Sequence, residues 1–136
     1  MKISIQVSVN SSLEKVWSAW ISPDDINQWN AASDEWYNPR SSNDLRIGGK
    51  FSYRMEAKDG SFGFDFEGTY TKVEQFSLIE YALEDGRTVS IQFTHGSSGV
   101  KVVETFDAED ENSAEQQKQG WQCILNRFAK HVESKQ

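Results

Sequence analysis

Residues 51–70 read FSYRMEAKDGSFGFDFEGTY, and this stretch decides the fold because it contains a hairpin whose register can be deduced. Asp59-Gly60 is a strong signal for a tight turn between two antiparallel strands. Pairing outward from that turn separates an aromatic face from a charged one, with Gly68 as a place where the strand can bend and Phe62 at the rim. The predicted pairs are Met55 with Phe64, Tyr53 with Phe66 and Phe51 with Gly68 on the aromatic face, and Arg54 with Asp65 and Ser52 with Glu67 on the other.

A second hairpin is predicted between residues 78 and 95, with its turn at residues 84–86. A two-residue Asp-Gly turn would mix polar and apolar residues on each face of the sheet. A three-residue loop with Gly86 in the left-handed region avoids this mixing, so we expect a bulged turn. The expected pairs are Tyr81 with Val89 and Ile79 with Ile91; Phe93 and His95 continue that face, and a last strand covers residues 100–106.

The first thirty residues predict one strand followed by two short helices. Residues 2–9 alternate between apolar and polar side chains, as in a half-buried strand. Asn10, Ser11 and Ser12 can each cap the first helix, and Ser11 and Glu14 have the spacing of a capping box. Ser22 is expected to cap the second helix, with Pro23 at its first position.

The remaining segments differ in how clearly they can be interpreted. Residues 30–48 give a weak signal, and Ser41-Ser42-Asn43 suggests a loop. A long C-terminal helix is predicted to begin after Asn112 or Ser113. One stripe of this helix carries Ala114, Gln117, Trp121, Ile124, Leu125, Phe128 and Val132.

Composition indicates one globular domain over residues 1–136 and excludes several classes of partner. The chain is 37% hydrophobic and 26% charged, with five Trp and a net charge of −7. This acidic balance without a basic cluster argues against nucleic acid and anionic membranes. No segment approaches the roughly 20 apolar residues that span a bilayer, so a cytoplasmic protein without membrane insertion is expected. The lone cysteine cannot form an internal disulfide, which suits the same compartment.

The residues that could hold a metal or a cofactor are few. The chain contains His95, His131 and Cys123, none at ligand spacing with another, so we expect neither a metal nor a cofactor. Cys123 projects nearly opposite the apolar stripe of the last helix and lacks the base that a catalytic thiol requires. We therefore predict an incidental, partly exposed thiol.

Two polar residues fall on surfaces that are otherwise apolar, and each allows two interpretations. His95 is either a polar group in an apolar wall, able to bind a ligand or exchange protons, or a solvated residue at a strand end. Gln117 lies within the helix stripe, where a packed core would leave its amide unsatisfied at a cost of about 1–3 kcal/mol. Either the stripe faces something wetter than a core, or Gln117 is exposed near the helix start.

Three segments carry a resemblance to a known family. Residues 36–40 (WYNPR), residues 43–70 and residues 120–132 (GWQCILNRFAKHV) are similar to bacterial single-domain homologues of the heat-shock protein 90 ATPase activator. That family belongs to the START-related superfamily, also called SRPBCC. The resemblance implies an α+β helix-grip fold, in which a curved antiparallel sheet of six to seven strands wraps a long C-terminal helix. Two short helices close one end, and a cavity for a small apolar ligand lies between sheet and helix.

The resemblance also implies a set of ligand-binding positions and three candidate functions. The main hypothesis is a non-enzymatic binding module for a lipid-like, aromatic or polyketide-like molecule. One alternative is a co-chaperone or protein-interaction domain, and the other is a cyclase or hydrolase that uses His95. The expected cavity positions are Trp20, Trp29, Phe51, Tyr53, Met55, Phe64, Phe66, Tyr81, Phe93, His95, Gln117 and Trp121.

Overall fold

A seven-stranded antiparallel sheet curls around one long helix in the computed structural model, which describes residues 1–135. The strands lie in the order β1-β7-β6-β5-β4-β3-β2, so β1 and β2 form the edges. The α+β fold predicted from the sequence is confirmed. Its elements are β1 (Lys2–Val9), α1 (Leu13–Ile21), α2 (Pro23–Trp29), β2 (Trp36–Asn43), β3 (Lys50–Ala57), β4 (Gly63–Glu74), β5 (Leu78–Leu83), β6 (Thr88–Gly96), β7 (Gly99–Asp107) and α3 (Ala114–Ser134).

Both predicted hairpin registers are confirmed. In the β3–β4 ladder, Tyr53 lies opposite Phe66, and the four other predicted pairs also form. In the β5–β6 ladder, Tyr81 lies opposite Val89, and Gly86 has a φ of 92° in the left-handed region. The alternation of apolar and polar side chains therefore predicts correctly which residues share a face of the sheet.

Residues 41–43, for which the sequence predicts a loop, are part of an edge strand. β2 contains Pro39, and its register with β3 shifts between Tyr37 and Arg40. Proline is tolerated there for two reasons. An edge strand forms hydrogen bonds with one neighbouring strand only, and at a bulge the backbone N–H that proline lacks is not needed for pairing. The loop prediction for residues 41–43 was therefore wrong: the pattern did not reveal a strand interrupted in this way.

The helix starts are largely as predicted, with one shift. α2 begins at Pro23 after Ser22, and α3 begins after Ser113, which forms a capping box with Gln116. The cap of α1 is Ser12, one of the three candidate caps, whose side chain accepts a hydrogen bond from the Lys15 amide. The capping box assigned to Ser11 is thus one residue too early, because the helix begins at Leu13.

The core lies between the concave face of the sheet and the three helices. Val9, Ile91 and Val102 of the sheet and Leu125 and Phe128 of α3 are all completely buried. α3 runs across the sheet, and its C-terminal half contributes Leu125, Phe128, Ala129 and Val132 to this core. The N-terminal half, which carries Trp121, faces the aromatic strands β3 to β5 and leaves a cavity between helix and sheet.

Gly68 has a different role from the bend that the sequence suggested. Its backbone lies under the ring of Phe51, and a Cβ at this position would come within 2.7 Å of that ring. The irregularity in β4 occurs further along, between Tyr70 and Lys72. Glycine is therefore required here for the close approach of an aromatic ring.

Candidate ligand-binding cavity

A cavity of about 200 Å³ lies between the concave sheet face and α3, and α1 and α2 close one side of it. Strands β3, β4, β5 and β7 supply its walls. Seven of its lining residues are aromatic, as in most small-molecule sites, which combine an apolar surface with few polar groups. The lining residues are Trp20, Trp29, Asn30, Tyr53, Met55, Phe64, Phe66, Tyr81, Glu104, Trp121 and Ile124.

The cavity reaches the surface beside Phe64, whose side chain is 41% exposed. Phe64, Phe62 and Trp36 form a cluster of rings with centroids about 6 Å apart. We call these three residues the aromatic rim. Phe62 is 60% exposed, in agreement with its predicted place at the edge of the aromatic face.

Aromatic packing holds the cavity walls in place. The indole of Trp121 stacks on Phe106 with a centroid distance of 3.9 Å, which connects α3 to β7. Trp20 and Trp29 pack against each other at 5.0 Å, and both contact Phe128. The Nε1 of Trp29 donates a hydrogen bond to the Ala19 carbonyl. These contacts make the aromatic walls a preformed part of the fold.

Glu104 places a carboxyl group in this apolar wall. It lies on β7 between Ile91 of β6 and Ile5 of β1, and it is only 7% exposed. Among residues 1–135 its side chain has no hydrogen-bond or ion-pair partner. Burial raises the pKa of the Glu104 carboxyl from its ordinary 4.5 to about 8, because desolvation disfavours the charged form. The group is therefore mainly protonated at neutral pH.

Two tyrosines of the cavity wall lie close enough to interact with Glu104. Burial is the main cause that raises the pKa values of Tyr53 and Tyr81 well above 10, and the negative charge of Glu104 contributes to both. Both phenols are thus neutral over the physiological range. Glu104 is the group in the wall that can change its charge near neutral pH.

Asn30 is the second strongly polar residue of the wall. Its Nδ2 donates to the Oδ1 of Asn38 at 2.9 Å and to the sulfur of Met55 at 3.4 Å. Asn38 is itself buried and donates to the carbonyl of Arg40. The amide of Asn30 is therefore held by β2 and β3, and its Oδ1 is left as an acceptor.

The structure brings most of the predicted positions together. Eight of the twelve line the cavity: Trp20, Trp29, Tyr53, Met55, Phe64, Phe66, Tyr81 and Trp121. Phe51 and Phe93 share the concave face but belong to the packed core. The ring of Phe51 contacts Tyr70 and Tyr81, and that of Phe93 contacts Trp17.

Gln117 does not face the cavity, and it is not exposed either. It is 8% exposed, and its amide is fully used by the segment that leads from β7 into α3. Its Oε1 accepts from the Glu109 amide at 2.8 Å, and its Nε2 donates to the Asn112 carbonyl at 2.8 Å. The expectation of an exposed side chain was therefore wrong, because the chain before the helix folds back over it.

His95 lies away from the cavity, at the exposed end of β6. The helices cover β6 only as far as Phe93, whose ring contacts Trp17 and Trp20. His95 instead lines a surface depression with residues 10–12 and 96–99. The polar group in the apolar wall is Glu104, on the adjacent strand β7 and four residues along the β6–β7 ladder from His95.

Glu104, Asn30 and Ile124 are the lining residues that the sequence reasoning missed. For Glu104 a signal was present, because Val100, Val102, Glu104 and Phe106 alternate as one buried face of β7. A glutamate at an inward position of such a strand is an anomaly that points to a function. Asn30 follows the end of α2 and carries no comparable pattern.

Cys123 is exposed, as predicted. Residues 1–135 contain no group of three or more His, Cys, Asp or Glu side chains arranged to hold a metal ion. Within the same residues, no helix is both long and apolar enough to span a membrane.

The chain matches the model of one protein family over residues 10–133: Activator of Hsp90 ATPase homolog 1-like protein. It is 47% identical to the AHSA1-like protein from Aeromonas hydrophila, whose solution structure superposes with a TM-score of 0.93 over 99% of this chain and 94% of that one. The solution structure of a protein from Cytophaga hutchinsonii is also 47% identical, with a TM-score of 0.85 over 98% of this chain and 93% of that one.

More distant structures share the fold alone. A crystal structure from Nitrosomonas europaea has a TM-score of 0.87 at 16% identity, over 100% of this chain and 96% of that one. A search of curated proteins found no significant match.

Proposed function

We propose that this chain, which belongs to the Activator of Hsp90 ATPase homolog 1-like family, is a non-enzymatic binding module for a small hydrophobic ligand. The observation that carries the proposal is the cavity of about 200 Å³, lined by seven aromatic side chains and open beside Phe64. Its aromatic walls are held by packing against the core, so the site needs little reorganisation to accept a ligand. Preformed apolar cavities of this kind are the usual form of small-molecule sites.

The driving force is the removal of apolar surface from water. Burial of apolar area contributes about 25 cal/mol per Å², and flat rings can stack on several aromatic side chains at once. The rings of Trp121 on α3 and Phe66 on β4 lie side by side in the cavity wall, with their centroids 6.4 Å apart. A flat or elongated apolar molecule matches these walls.

The test is a binding experiment with a variant that fills the cavity. Isothermal titration calorimetry would measure a panel of fatty acids, flavonoid-like aromatic compounds and polyketides against the wild-type chain and Ile124→Trp. We expect saturable binding of at least one class, and an affinity at least tenfold weaker for Ile124→Trp, because the larger ring occupies the cavity. Lys130→Trp, an exposed position on the same helix, is the matched control and should bind like the wild type.

The absence of saturable binding across the panel would contradict the proposal. Equal affinities of Ile124→Trp and the wild type would show that the ligand binds outside the cavity. Circular dichroism of both variants checks that the fold is retained.

A second candidate function is docking to another protein, such as a chaperone. The aromatic rim favours it, because Phe62 is 60% exposed next to Trp36 and exposed rings mark interaction surfaces. The family description itself refers to activators of a chaperone ATPase. An ATPase assay of Hsp90 with this chain in excess tests the role; an unchanged rate would remove it, and a stimulated rate should be lost in Phe62→Ser.

The location in the cell is part of the same proposal. The exposed thiol of Cys123 is stable in a reducing compartment, and the acidic chain has no basic surface for anionic membranes. We place the binding function in the cytoplasm.

A further inference from the structure

We propose that the cavity takes a hydrophobic amine, which binds as the cation with its ammonium group on the Glu104 carboxylate and its apolar part among the aromatic side chains. The inference rests on the proposed binding function and specifies the chemical class of the ligand. Glu104, the aromatic walls and the size of the cavity carry it.

The carboxyl group of Glu104 is the first observation. It is more than nine-tenths buried, it lines the cavity, and no group of residues 1–135 pairs with it. A buried polar group without a partner is costly, and a buried charge without a partner costs more. A protein that keeps such a group in its wall is less stable than one with a leucine there. The carboxyl is therefore explained by a partner that arrives from outside.

The charge of the surroundings indicates the sign of that partner. Among residues 1–135, no Lys, Arg or His lines the cavity, and the chain carries a net charge of −7. Of the elements around Glu104, β3 and β5 supply the phenols Tyr53 and Tyr81, both neutral below pH 9 because burial raises their pKa values. β1 and β6 supply Ile5 and Ile91, which do not titrate. An anionic ligand would find no counterion here, whereas a cation would find the carboxylate.

The aromatic walls favour the same sign. The face of an aromatic ring attracts a cation, most strongly when the pair is shielded from water. Trp20, Trp29 and Trp121 line the cavity together with Tyr53 and Tyr81. The free acceptor of Asn30 adds a second group that can accept from an N–H donor. Carboxylate and rings together can offset the desolvation of an ammonium group, which neither would do alone.

Size limits the ligand further. An apolar cavity of about 150 Å³ accommodates benzene, so a cavity of about 200 Å³ fits one aromatic ring with a short side chain. Larger apolar groups can extend through the opening beside Phe64. The preferred class is thus an arylalkylamine or a short-chain apolar amine.

Binding of a cation requires Glu104 to give up its proton, and this produces a measurable signature. With a pKa of about 8, Glu104 is mainly protonated at pH 7, so each bound amine should release close to one proton. The affinity should increase by roughly tenfold per pH unit below pH 8 and level off above it, as long as the amine stays charged. A neutral ligand would release no proton.

The experiment uses matched pairs of amine and alcohol: 2-phenylethylamine with 2-phenylethanol, and 2-(1-naphthyl)ethylamine with 2-(1-naphthyl)ethanol. Calorimetric titrations of the wild-type chain in buffers of different ionisation enthalpy, at pH 6, 7, 8 and 9, give both affinity and proton release. We expect an amine to bind at least tenfold more tightly than its alcohol at pH 8, with proton release at pH 7.

Glu104→Gln keeps the size of the side chain and removes its charge. In this variant the preference for amine over alcohol should disappear, together with the proton release and the pH dependence. Glu67→Gln, on the exposed face of β4, is the matched control and should retain all three. A thermal melt of each variant confirms that it is folded.

Several outcomes would overturn the amine proposal. Binding of the alcohols as tight as that of the amines, with affinity falling above pH 8, would show that protonated Glu104 donates a hydrogen bond to a neutral ligand; the cavity would still be a binding site. Failure of both pairs to bind also overturns it, and the panel with Ile124→Trp then decides separately whether the binding function stands.

Discussion

Glu104 lies directly opposite Ile91 in the β6–β7 ladder, and both side chains are buried on the concave face of the sheet. Its partners on the two adjacent strands, Ile5 and Ile91, are both core residues. A carboxyl group thus occupies a core position. Such a substitution of a polar for an apolar residue lowers stability, and it is retained where function requires it. Its consequences can be measured without knowledge of the ligand.

The first prediction concerns the pH dependence of stability. The pKa of Glu104 is raised from 4.5 in the unfolded chain to about 8 in the folded one, so the folded state binds the extra proton between these values. Stability is therefore greatest below pH 4.5 with respect to this group and falls by about 1.4 kcal/mol per pH unit up to pH 8. Glu104→Gln should remove this slope and be more stable than the wild type at pH 8 by on the order of 4 kcal/mol.

Urea denaturation followed by tryptophan fluorescence, from pH 5 to 9, measures this difference. The exposed Glu67→Gln serves as control and should follow the wild-type curve. Parallel curves for Glu104→Gln and the wild type over this range would show that Glu104 is ionised at neutral pH in the folded chain.

A second prediction concerns the contact between Gly68 and Phe51. A Cβ at residue 68 would lie 2.7 Å from the Phe51 ring and 2.9 Å from the Ala82 carbonyl oxygen, so Gly68→Ala forces either the ring or the strand to move. Overpacking of this kind costs about 1–3 kcal/mol. Gly120→Ala is the matched control: no atom lies within 4 Å of its added Cβ, and alanine favours the helix by about 0.5–1 kcal/mol.

Chemical denaturation of both glycine variants gives the comparison. We expect opposite signs, with Gly68→Ala less stable and Gly120→Ala more stable than the wild type. A Gly68→Ala variant as stable as the wild type would mean that the Phe51 ring has room to shift.

The third prediction concerns the hydrogen bonds between Asp25 of α2 and the C-terminal end of α3. The carboxylate of Asp25 accepts hydrogen bonds from the Nε2 of His131 at 2.8 Å and from the Nζ of Lys135 at 2.5 Å. Although burial by itself raises the pKa of Asp25, these bonds outweigh it and hold the pKa below its ordinary value. Asp25→Asn should therefore destabilise the chain at pH 7 by about 1–3 kcal/mol.

The same pair predicts how this effect depends on pH. A lowered pKa in the folded state means that Asp25 contributes stability above pH 3.8, and that the contribution is lost as pH falls through the folded value. The difference between Asp25→Asn and the wild type should thus shrink in acid. Asp65→Asn, whose carboxylate is half exposed and 3.5 Å from Arg54, should change stability by less than about 0.5 kcal/mol. Equal effects of the two variants would contradict the assignment.

A fourth prediction concerns Gln117. Its buried side-chain amide forms hydrogen bonds with the backbone of Glu109 and Asn112 in the segment before α3. Gln117→Ala removes these bonds. We expect a loss of about 1–3 kcal/mol. Hydrogen exchange should show faster exchange of the Glu109 amide, which loses its acceptor. Lys118→Ala, exposed on the same turn, should leave that amide unchanged.

The hairpins and helices could be predicted because their signals are local. A turn residue such as Gly86 and the alternation of Tyr81 with its neighbours determine a register within a few residues of chain. The edge strand β2 could not, since a strand with Pro39 and a bulge has no clean alternation and is stabilised by its partner β3.

The candidate site was predictable to the extent that it follows from which residues share a sheet face. The register of the strands predicts that the concave face is aromatic and that Tyr53, Phe66 and Tyr81 lie on it. Whether a side chain on this face is packed by other side chains or borders an empty space depends on how the helices and the neighbouring rings lie over the sheet, which no local pattern encodes. Phe51 and Phe93 are therefore core, whereas Phe66 lines the cavity.

The sequence by itself thus determined the order of the elements other than β2, the registers of two hairpins and the aromatic character of one sheet face, because these depend on residues close together in the chain. Only the tertiary structure decided that Glu104 has no partner within residues 1–135, that the Gln117 amide is hydrogen-bonded and that His95 lies outside the cavity. These properties depend on how separate segments pack together: the segment before α3 folds over Gln117, and the curvature of the sheet and the position of the helices set the surroundings of Glu104 and His95.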